Sequence, residues 1–573
     1  MSFAELKEKI IKNYDTTDIT LVERAYKFAE KVHEGQTRKS GDAYITHPLA
    51  IASALADLKL DQATIAAALL HDVIEDGGAT EDDVKKEFGE DVAFLVEGVT
   101  KLGKLKYRGA ERMAESLRKM FLATAEDIRV VLIKLMDRAH NMETLRALPE
   151  EKQKRIALET LEIYAPLADR LGLGQLKARL EDLAFPYVYP EEYQWLQNNV
   201  KEAFKERVKY IEHIMPVVRE LLSKENIPVL AMDARAKHQY SLWRKLAKFD
   251  MDVTKINDLV ALRIIVPTVS DCYQALGAIH AGWRPLPGKI KDYIALPKPN
   301  GYKSLHTTVF GPDGEIVEFQ IRTEEMHEEA EHGIAAHWAY NEHKKTKGYK
   351  TSAPSEADKD KIHWVSQLKD WQKDVPDPNE FLNSLKIEFF KNRIFVLTPK
   401  GDAIDLPEGA TALDFAYHVH SQIGDTASGA RVNGKMVPLN HELSNFDVAE
   451  IITQKNKKPS ADWLGFVKTS MARRHITSKI RRAEEDRRFS EHQGKQMVEV
   501  RVIAKDRVGL VNDLTAVVAS FKINIKGMRT ERGERSHPLV LMNCPVKSND
   551  EMRKLLMKLK SVRGVEEVGY RII

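Results

Sequence analysis

The residues best suited to chemistry near the start of this chain are two histidines and a group of carboxylates. His71 and Asp72 close an apolar helical segment, and Glu75 and Asp76 follow one helical turn later, so both pairs are expected to face one space. Imidazole and carboxylate ligands suit a divalent transition ion, and the large share of oxygen ligands favours manganese. The other ligands are expected from neighbouring helices of a bundle: His47 and Asp137.

This set predicts a metal-dependent phosphohydrolase. A bound divalent ion lowers the pKa of its water from about 15.7 to near 7, which supplies hydroxide at neutral pH. Glu75 and Asp76 are placed to align that water and to take its proton. The loop before His47 offers three residues that can hold phosphates: Arg38, Lys39 and Ser40.

Single residues of these types are a weak signal, because isolated histidines and acidic residues usually pack in the core or face solvent. That ordinary interpretation is adopted for His33, His140 and His280 taken alone. It is a poor interpretation of an adjacent His-Asp pair that closes an apolar helix and is followed by two more carboxylates. The complete set is therefore interpreted as a metal site.

A second group of polar residues, between residues 235 and 322, predicts a different chemistry. Glu318 and Gln320 lie on one face of a predicted strand, and Asp258 heads another strand, so two carboxylates can hold magnesium. Tyr302 lies in a predicted turn, where its ring can stack on a base. Cationic side chains surround these positions: Arg235, Lys237, His238, Lys245, Arg263, Lys289, Lys291 and Lys298.

Phosphoryl transfer requires such a cluster, because the reaction depends mostly on positioning and charge neutralisation. The sequence has no glycine-rich P-loop ending in Gly-Lys-Ser or Gly-Lys-Thr, which excludes a P-loop enzyme. The pattern predicts a nucleotide phosphoryl transferase. A solvated surface remains a reasonable interpretation of Lys245 alone, but not of KIKDYIALPKPNGYKSLHTTV, where cations, a turn and an aromatic residue are interleaved.

Composition limits the class of protein. A net charge of +3 over 573 residues does not force a nucleic-acid or membrane interpretation. The two cysteines, Cys272 and Cys544, exclude a disulfide scaffold and a cysteine-rich zinc module and suit a reducing compartment. The first residues lack the apolar core of a signal peptide, and no apolar run could span a bilayer. We therefore expect a cytoplasmic protein without membrane contact.

Changes in periodicity divide the chain into six segments. A helical segment is followed by a mixed segment of helices and strands, and then by a polar linker with three prolines. A β-rich segment comes next, with a hairpin at Lys400-Gly401 and one helix over ALDFAYHVHSQIG, followed by a basic helical segment. The last segment has the β-α-β-β-α-β order of a ferredoxin-like fold. The predicted boundaries are 1–195, 196–345, 346–384, 385–454, 455–494 and 495–573.

The first segment also resembles a known family. HEGQTRKSGDAYITHPL, LLHDVIED and KLMDRAHNMETL are similar to the hydrolase half of the long RelA/SpoT homologues, the (p)ppGpp synthetase/hydrolase enzymes. The resemblance implies an all-α HD domain that removes the 3′-pyrophosphate of (p)ppGpp, with Glu75 and Asp76 as catalytic carboxylates. Gly77 departs from the family, in which threonine is usual. The implied manganese ligands are His47, His71, Asp72 and Asp137, and the implied nucleotide pocket includes Arg38, Asn141 and Thr144.

The second segment is similar to the synthetase domain of the same family through RAKHQYSLWRK, KINDLVALRIIV, PGKIKDYIALPKPNGYKSLHTTV and EFQIRT. The implied domain is mixed α/β and nucleotidyltransferase-like, and it transfers the β,γ-pyrophosphate of ATP to the 3′-hydroxyl of GDP or GTP. Asp258 and Glu318 would act on magnesium, with Glu318 as the candidate base. The implied substrate-binding residues are Arg235, Lys237, Ser241, Lys245 and Arg263 for ATP, Asn300, Tyr302 and His306 for the acceptor nucleotide, and His238, Lys291, Lys298 and Gln320 beside them.

Two details qualify this resemblance. Lys289-Ile290-Lys291-Asp292 fits the basic RxKD type of the bifunctional members, with lysine in place of the first arginine. Ala234 and Ala236 replace the glycine and proline that are usual around Arg235, which bears on the position of that arginine.

The C-terminal segments resemble regulatory modules of the family. The segment from 385 is similar to a TGS domain, a β-grasp module whose residue matching His420 contacts uncharged tRNA on the ribosome; a histidine that caps its own helix fits the pattern equally well. The basic segment suits either RNA backbone contact or a solvated helix. AKDRVGLVNDLTAVVAS is similar to an ACT domain, whose first turn often binds a small effector or forms a dimer sheet. The cysteine/histidine zinc module usual between the two is absent from the sequence.

The expected fold class is therefore multidomain α+β, and the expected function is that of a bifunctional stringent-response enzyme. It would act as a GTP pyrophosphokinase and as a guanosine-3′,5′-bis(diphosphate) 3′-diphosphatase, with the two sites regulated reciprocally because simultaneous action would waste ATP. One alternative is a hydrolase whose synthetase domain is only a sensor, supported by Ala234 and Ala236. Another is a ribosome- or tRNA-binding stress sensor with weak catalysis.

Overall fold

The structure is a computed structural model that describes residues 2–14, 18–103, 118, 123, 126–256, 258–298, 300–335, 393–491, 496–532, 538–546 and 549–573. Its contacts divide the chain into two compact units, residues 1–390 and 391–573. The predicted linker at 346–384 lies outside the described residues. None of the described helices is long and apolar enough to cross a membrane.

The first half of unit 1 is helical, as the apolar periodicity predicted. A 3-10 turn at Leu145–Ala147 and a π-helix at Thr160–Tyr164 lie between its α-helices. The α-helices are α1 (Phe3–Tyr14), α2 (Thr20–Val32), α3 (Thr46–Asp57), α4 (Gln62–Leu70), α5 (Glu81–Phe88), α6 (Glu90–Gly103), α7 (Ile128–Glu143), α8 (Glu150–Glu159), α9 (Ala165–Arg170), α10 (Gly174–Val188), α11 (Pro190–Asn199) and α12 (Lys201–Lys224).

Helix α4 positions the predicted metal site, because its C-terminal end lies in the core of the helical half. Asp61 caps its N-terminus, and its small, fully buried alanines allow α2, α3 and α6 to pack closely around it. The helix ends at Leu70, earlier than predicted, and residues 71–76 form turns. The Asp76 N–H still donates to the Asp72 carbonyl at 2.9 Å, which keeps the two carboxylates one turn apart.

The second half of unit 1 is built on a five-stranded mixed sheet. Its elements are β1 (Ala231–Ala236), α13 (Gln239–Leu246), β2 (Val260–Val266), α14 (Val269–Gly282), β3 (Lys291–Asp292), β4 (Leu305–Phe310), β5 (Ile316–Thr323) and α15 (Glu324–His332). The strand order is β1-β2-β5-β4-β3, with β2 and β5 parallel and the other pairs antiparallel. Apolar residues of α12 and α14 cover one face, which includes Val317, Phe319 and Ile321 as strand alternation predicted.

Glycine residues join the helical half to the sheet half. Gly333 follows α15 with a φ of +54°, and a Cβ built there would lie 2.4 Å from the carbonyl oxygen of Leu171. The Ile334 N–H donates to the same carbonyl at 3.0 Å, and the Asn300 amide donates to Asp169 at 3.3 Å. The turn between α9 and α10 therefore packs directly against the end of α15 and the loop that carries Asn300.

Unit 2 begins with a small β-rich fold. Its elements are β6 (Arg393–Leu397), β7 (Ala403–Pro407), α16 (Ala412–Val419), α17 (Ser421–Thr426), β8 (Ala427–Val432), β9 (Lys435–Val437) and β10 (Ala449–Thr453). Strands β6 and β7 form the predicted hairpin, and the other strands form a sheet in the order β10-β8-β9. The one helix predicted over 412–424 is divided at His420, whose extended backbone ends α16 and whose side chain caps α17.

The rest of unit 2 is a basic helix, α18 (Ser470–Glu491), and a ferredoxin-like fold. The fully buried Asp414 links the β-rich fold to the start of α18, because it accepts hydrogen bonds from the backbone N–H groups of Lys468 and Thr469 at 3.1 and 2.8 Å. The last fold has the predicted element order and an antiparallel sheet in the order β12-β13-β11-β14. Its elements are β11 (Gln496–Ala504), α19 (Leu510–Ser520), β12 (Gly527–Arg532), β13 (Pro538–Val546), α20 (Asn549–Lys560) and β14 (Val565–Ile572).

The junction in unit 1 predicts a strong effect of Gly333→Ala. The new methyl group would meet the Leu171 carbonyl at a positive φ, so the free energy of unfolding of this unit should fall by about 2–4 kcal/mol. Gly314→Ala is the matched control, since Gly314 has a φ of +77° but nothing within 4 Å of its Cβ position, and it should cost only about 1 kcal/mol. Calorimetry of both variants checks this, and equal melting temperatures would contradict the close backbone contact.

Candidate active sites

The predicted metal ligands His47, His71 and Asp137 meet inside the helical half of unit 1. All three side chains are buried, and one ligand atom from each lies within 4.8 Å of the others. Asp72 joins this group, because its Oδ2 atom is 3.6 Å from His47 Nε2 and 3.2 Å from His71 Nε2. The four residues come from α3, α7 and the turn after α4, so three separate parts of the chain build one cluster.

Hydrogen bonds on the far side of each imidazole ring leave its Nε2 atom available for a metal. His71 Nδ1 donates to the Ala68 carbonyl at 2.8 Å, while its buried Nε2 makes no hydrogen bond of normal geometry with the described residues. His47 Nδ1 is 2.9 Å from His140 Nδ1, which also lies 3.0 Å from Nη1 of Arg38. Because Arg38 always donates, His140 Nδ1 is an acceptor, and His47 Nδ1 therefore carries the hydrogen.

His140 thus orients His47, a role that the sequence analysis did not assign to it. Burial, together with the nearby His47 and Arg38, lowers the pKa of His140 to about 4, so its ring is neutral and able to accept at neutral pH. Residues that do not bind the metal themselves but orient a metal-binding histidine in this way tune the metal site. The available signal was the position of His140 three residues after Asp137 on α7, since residues at that spacing share a helix face.

The electrostatics of the cluster favour a cation at its centre. Burial opposes ionisation of Asp137, but Lys134 and His47 hold the pKa of this carboxyl well below its usual range. Burial also opposes protonation of His71, but attraction to Asp72 and Asp137 raises the pKa of His71 to about 9. Positive charge is therefore stabilised where the imidazoles and carboxylates converge. A divalent ion with two imidazole and two carboxylate ligands fits this set.

Tyr44 lies beside the turn that carries the remaining carboxylates. Burial and the nearby carboxylates raise the pKa of Tyr44, so its hydroxyl keeps its hydrogen, and it lies 2.8 Å from Asp72 Oδ2 and 2.7 Å from Asp76 Oδ2. Glu75 is exposed in the same turn. A Cβ at Gly77 would lie 2.1 Å from Cγ1 of Val32 and 2.8 Å from the Val73 carbonyl oxygen, so a side chain at this position would require the turn or its neighbours to shift.

A pocket next to the cluster brings together the predicted phosphate and nucleotide residues: Arg38, Lys39, Ser40, Asn141 and Thr144. Arg38 donates to Asn141 at 2.5 Å, and the Asn141 amide donates to Asp137 at 2.6 Å, so the pocket is connected to a metal ligand. Three further cations line it that the sequence analysis did not identify: Lys134, Arg138 and Arg155. Helical spacing from Asp137 could have indicated the first of them.

In the sheet half, Asp258 lies in the turn before β2 and shares a pocket with Glu318. Lys237 and Lys245 donate to the two oxygens of Asp258 at 2.6 and 2.5 Å. Burial opposes ionisation of Asp258, but the two ammonium groups lower its pKa. The pocket is lined by Lys245, Phe249, Lys255, Asp258, Lys289, Lys291, His306, Thr308 and Glu318. Two carboxylates surrounded by cations suit a divalent ion together with phosphate groups.

Glu318 is connected to the residues predicted to hold the acceptor nucleotide. His306 Nδ1 lies 3.1 Å from Glu318 Oε1, and its Nε2 lies 2.8 Å from the Tyr302 hydroxyl. Burial opposes ionisation of Glu318, but the contact with His306 lowers its pKa. The ammonium group of Lys298 lies 4.8 Å from the centroid of the Tyr302 ring. The predicted base and the predicted stacking residue therefore belong to one hydrogen-bonded chain.

The arginines predicted to serve ATP lie in a second pocket with His238. Arg235 donates to Gln320 on β5 at 3.2 Å. Arg263 makes ion pairs instead, at 2.7 Å to Asp233 and at 3.0 Å to Glu331. Its guanidinium group is therefore engaged by protein carboxylates in this conformation.

Ser241 and His238 contact the helical half of unit 1. Ser241 Oγ donates to Glu181 at 3.4 Å, and His238 Nδ1 lies 3.4 Å from Asp182, both on α10. Neither residue lines the pocket that holds Asp258 and Glu318. The assignment of Ser241 to ATP and of His238 to substrate binding stays a prediction.

Arg322 follows Gln320 on the polar face of β5 and was given no role from the sequence. Its side chain is completely buried, and its three guanidinium nitrogens make no hydrogen bond with the described residues. The guanidinium carbon lies 5.7 Å from the centroid of the Tyr302 ring, a cation–π distance. Burial lowers the pKa of Arg322. The buried guanidinium group of Arg322 thus stabilises the position of the Tyr302 ring from inside the domain.

In unit 2, His420 is exposed and caps α17 by accepting from the Gln422 N–H at 3.2 Å. Because Nδ1 accepts, Nε2 carries the hydrogen and remains a donor. The helix-capping interpretation describes this geometry, and a contact with RNA stays a prediction.

Four family models match this chain. They are the HD domain over residues 25–174, the region found in RelA/SpoT proteins over 234–345, the TGS domain over 394–453 and the ACT domain over 492–569. The first two contain the clusters described above, so the fold and sites define a chain that combines an HD domain with a RelA/SpoT-type domain.

Curated relatives identify the family. The GTP pyrophosphokinase of Myxococcus xanthus is 49% identical over 474 residues, which are 82% of this chain and 61% of the relative. The guanosine-3′,5′-bis(diphosphate) 3′-pyrophosphohydrolase of Aquifex aeolicus is 49% identical over 500 residues, 87% of this chain and 70% of the relative. The bifunctional (p)ppGpp synthase/hydrolase SpoT of Escherichia coli is 46% identical over 488 residues, 85% of this chain and 68% of the relative. The chain belongs to the RelA/SpoT family, although it spans less than two thirds of the Myxococcus relative.

The cluster predicts divalent-metal binding that depends on Asp137. Asp137→Asn keeps the size of the side chain but removes its charge, so the affinity for Mn²⁺ should fall at least about 100-fold, more than is typical of a residue outside the ligand shell. Asp57→Asn is the matched control, because Asp57 is exposed at the opposite end of α3 from His47, where it pairs with Lys9. Calorimetric titration with Mn²⁺ compares the two, and an unchanged affinity in Asp137→Asn would contradict the metal assignment.

Proposed function

We propose that this chain both synthesises and hydrolyses (p)ppGpp, in two sites of unit 1. The observation that supports this most strongly is that each half of unit 1 holds a set of carboxylates. Asp72, Asp76 and Asp137 lie in the helical half, with Lys134 beside Asp137. Asp258 and Glu318 lie in the sheet half, with Lys237 and Lys245 beside Asp258. Relatives that are named for each of the two activities align over most of the chain.

For hydrolysis, we propose that His47, His71, Asp72 and Asp137 hold Mn²⁺. The ion would supply a water of lowered pKa and polarise the 3′-pyrophosphate. Asp76 and Glu75 take and return the proton of the attacking water. The neighbouring pocket binds the nucleotide through Arg38, Lys39, Ser40, Asn141 and Thr144. The products are GDP or GTP and pyrophosphate.

For synthesis, we propose that Asp258 and Glu318 hold Mg²⁺, the ion that ATP phosphates usually carry. Glu318, which is ionised beside His306, takes the proton from the 3′-hydroxyl of GDP or GTP. Tyr302 stacks on guanine, with Asn300 close by, while Lys237, Lys245, Lys291 and Lys298 neutralise phosphate charge. Arg235 and Arg263 bind ATP, which requires Arg263 to exchange its protein carboxylates for the nucleotide. AMP is the second product.

A hydrolase with an inactive synthetase domain is less well supported. Its basis was the pair of alanines at 234 and 236, but β1 pairs regularly with β2 at both positions. Arg235, between them, reaches Gln320 on the polar face of the sheet. The substitutions therefore leave the strand and the direction of this arginine intact.

Unit 2 is proposed to connect this chemistry to nutritional signals in the cytoplasm. The Nε2 donor of His420 and the basic helix α18 suit contact with uncharged tRNA, on or off the ribosome. The turn before α19, where Gly509 has a φ of +82°, suits a small effector or a dimer contact. If tRNA binds there, its affinity should fall steeply with salt and should fall in His420→Ala.

Two variants test the proposed function. Asp72→Ala should reduce the release of pyrophosphate from ppGpp with Mn²⁺ at least about 100-fold, because it removes a metal ligand and its negative charge. Asp258→Ala should reduce the formation of AMP and ppGpp from ATP and GDP with Mg²⁺ by a similar factor. Each variant should keep the other activity, and chromatography of the nucleotides measures both.

The wild-type chain is the reference in each assay. Hydrolysis without synthesis by the wild-type chain would favour the hydrolase-with-sensor alternative. If one substitution abolished both activities, the two sites would not be separate, and the proposal would be wrong.

A further inference from the structure

Tyr44 occupies an unusual position between the two kinds of carboxylate in the helical half of unit 1. Its single hydroxyl lies 2.8 Å from Oδ2 of Asp72, a proposed metal ligand, and 2.7 Å from Oδ2 of Asp76, a proposed proton acceptor. These carboxylates lie on the turn after α4, where the backbone hydrogen bond from the Asp76 N–H to the Asp72 carbonyl joins their residues. The hydroxyl has one hydrogen, which the two Oδ2 atoms share, and it links the two side chains at their ends.

The ring of Tyr44 is itself held in place. It stacks on His33 with a centroid distance of 4.4 Å and an interplanar angle of 14°. His33 Nδ1 lies 2.9 Å from the Gln36 side chain, and the Gln36 amide donates to the Asp76 carbonyl at 3.3 Å. The Tyr44 N–H donates to the Gln36 carbonyl at 3.0 Å. The loop and the turn therefore hold each other through both backbone and side-chain contacts.

The same loop carries the proposed phosphate-binding residues. Its ends are closed by the Thr37–Ala43 bridge and by the hydrogen bond from the Arg38 N–H to the Asp42 carbonyl at 2.9 Å. Tyr44 stands where this loop returns to helix α3, which carries His47. A rigid tyrosine at this point can keep the nucleotide-binding loop, the metal ligand and the proton acceptor in one arrangement.

We propose that Tyr44 is a positioning residue of the hydrolase site, whose hydroxyl fixes the carboxylate of Asp72 relative to that of Asp76. The inference rests on the proposed hydrolysis and deepens it. Groups that hold metal ligands from outside the ligand shell typically change metal affinity or activity by about 10–100-fold when they are removed. The ring itself, which fills space against His33, is not part of the effect.

The test is Tyr44→Phe in the full chain, which keeps the ring and removes the hydroxyl. The dissociation constant for Mn²⁺, measured by electron paramagnetic resonance without nucleotide, should rise about 10-fold. At saturating Mn²⁺, kcat for ppGpp hydrolysis should fall about 10–100-fold, while KM changes less than about twofold. Synthesis from ATP and GDP should be unchanged, because the sheet half has its own carboxylates.

Tyr26→Phe is the matched control. Tyr26 also donates to a carboxylate, Glu30, in the same helical half, but on an exposed surface of α2. It should leave the Mn²⁺ affinity, hydrolysis and synthesis unchanged.

Two results would overturn the positioning role. Tyr44→Phe with the Mn²⁺ affinity and hydrolytic kcat of the wild type would show that the hydroxyl positions nothing. Tyr44→Phe with hydrolysis and synthesis lost together would assign the hydroxyl to the stability of the whole unit. A wild-type chain that binds Mn²⁺ but does not hydrolyse ppGpp would instead contradict the proposed function, and the Mn²⁺ affinity of the two tyrosine variants would still decide whether Tyr44 positions Asp72.

Discussion

Carboxylates that are buried or half-buried and nevertheless ionised are the constraint on which both sites depend. Moving a carboxylate out of water costs several kcal/mol unless cations or hydrogen bonds replace the lost hydration. In the helical half, Lys134 and the two imidazoles stabilise Asp137. In the sheet half, Lys237 and Lys245 stabilise the ionised carboxylate of Asp258. Each cluster therefore has a position that favours positive charge. A metal ion, or the cations that surround a phosphate group, can occupy that position.

The fold satisfies this constraint in two different ways. In the helical half, the alanines of α4 allow three helices to approach, so that ligands far apart in sequence converge at its end. In the sheet half, β2 and β5 are adjacent and parallel, and Glu318 pairs with Ala261, three residues after Asp258. The two halves meet through backbone contacts at Gly172 and Gly333, which leave no room for a side chain. Close packing of the backbone therefore joins the two halves that carry the clusters.

Much of this organisation could be predicted from the sequence, because it follows from short-range periodicity. Helical spacing grouped His71, Asp72 and Asp76, and strand alternation placed Glu318 and Gln320 on one face. Residues whose role depends on contacts between distant segments were not predicted. His140 was interpreted as a packing residue, yet it orients His47, and nothing in the sequence showed that Tyr44 would reach both Asp72 and Asp76. The division of one predicted helix at His420 also escaped prediction, since no proline or glycine marks it.

Locating bound manganese by anomalous diffraction from crystals of the full chain tests the central claim most directly. If the buried cluster is built for a cation, one anomalous peak should lie within bonding distance of His47 Nε2, His71 Nε2 and the carboxylates of Asp72 and Asp137. The peak should persist when no nucleotide is added, because the ligands are already assembled. Crystals grown with saturating Mn²⁺ that show no peak at this position would contradict the account, as would a peak only at Asp258 and Glu318.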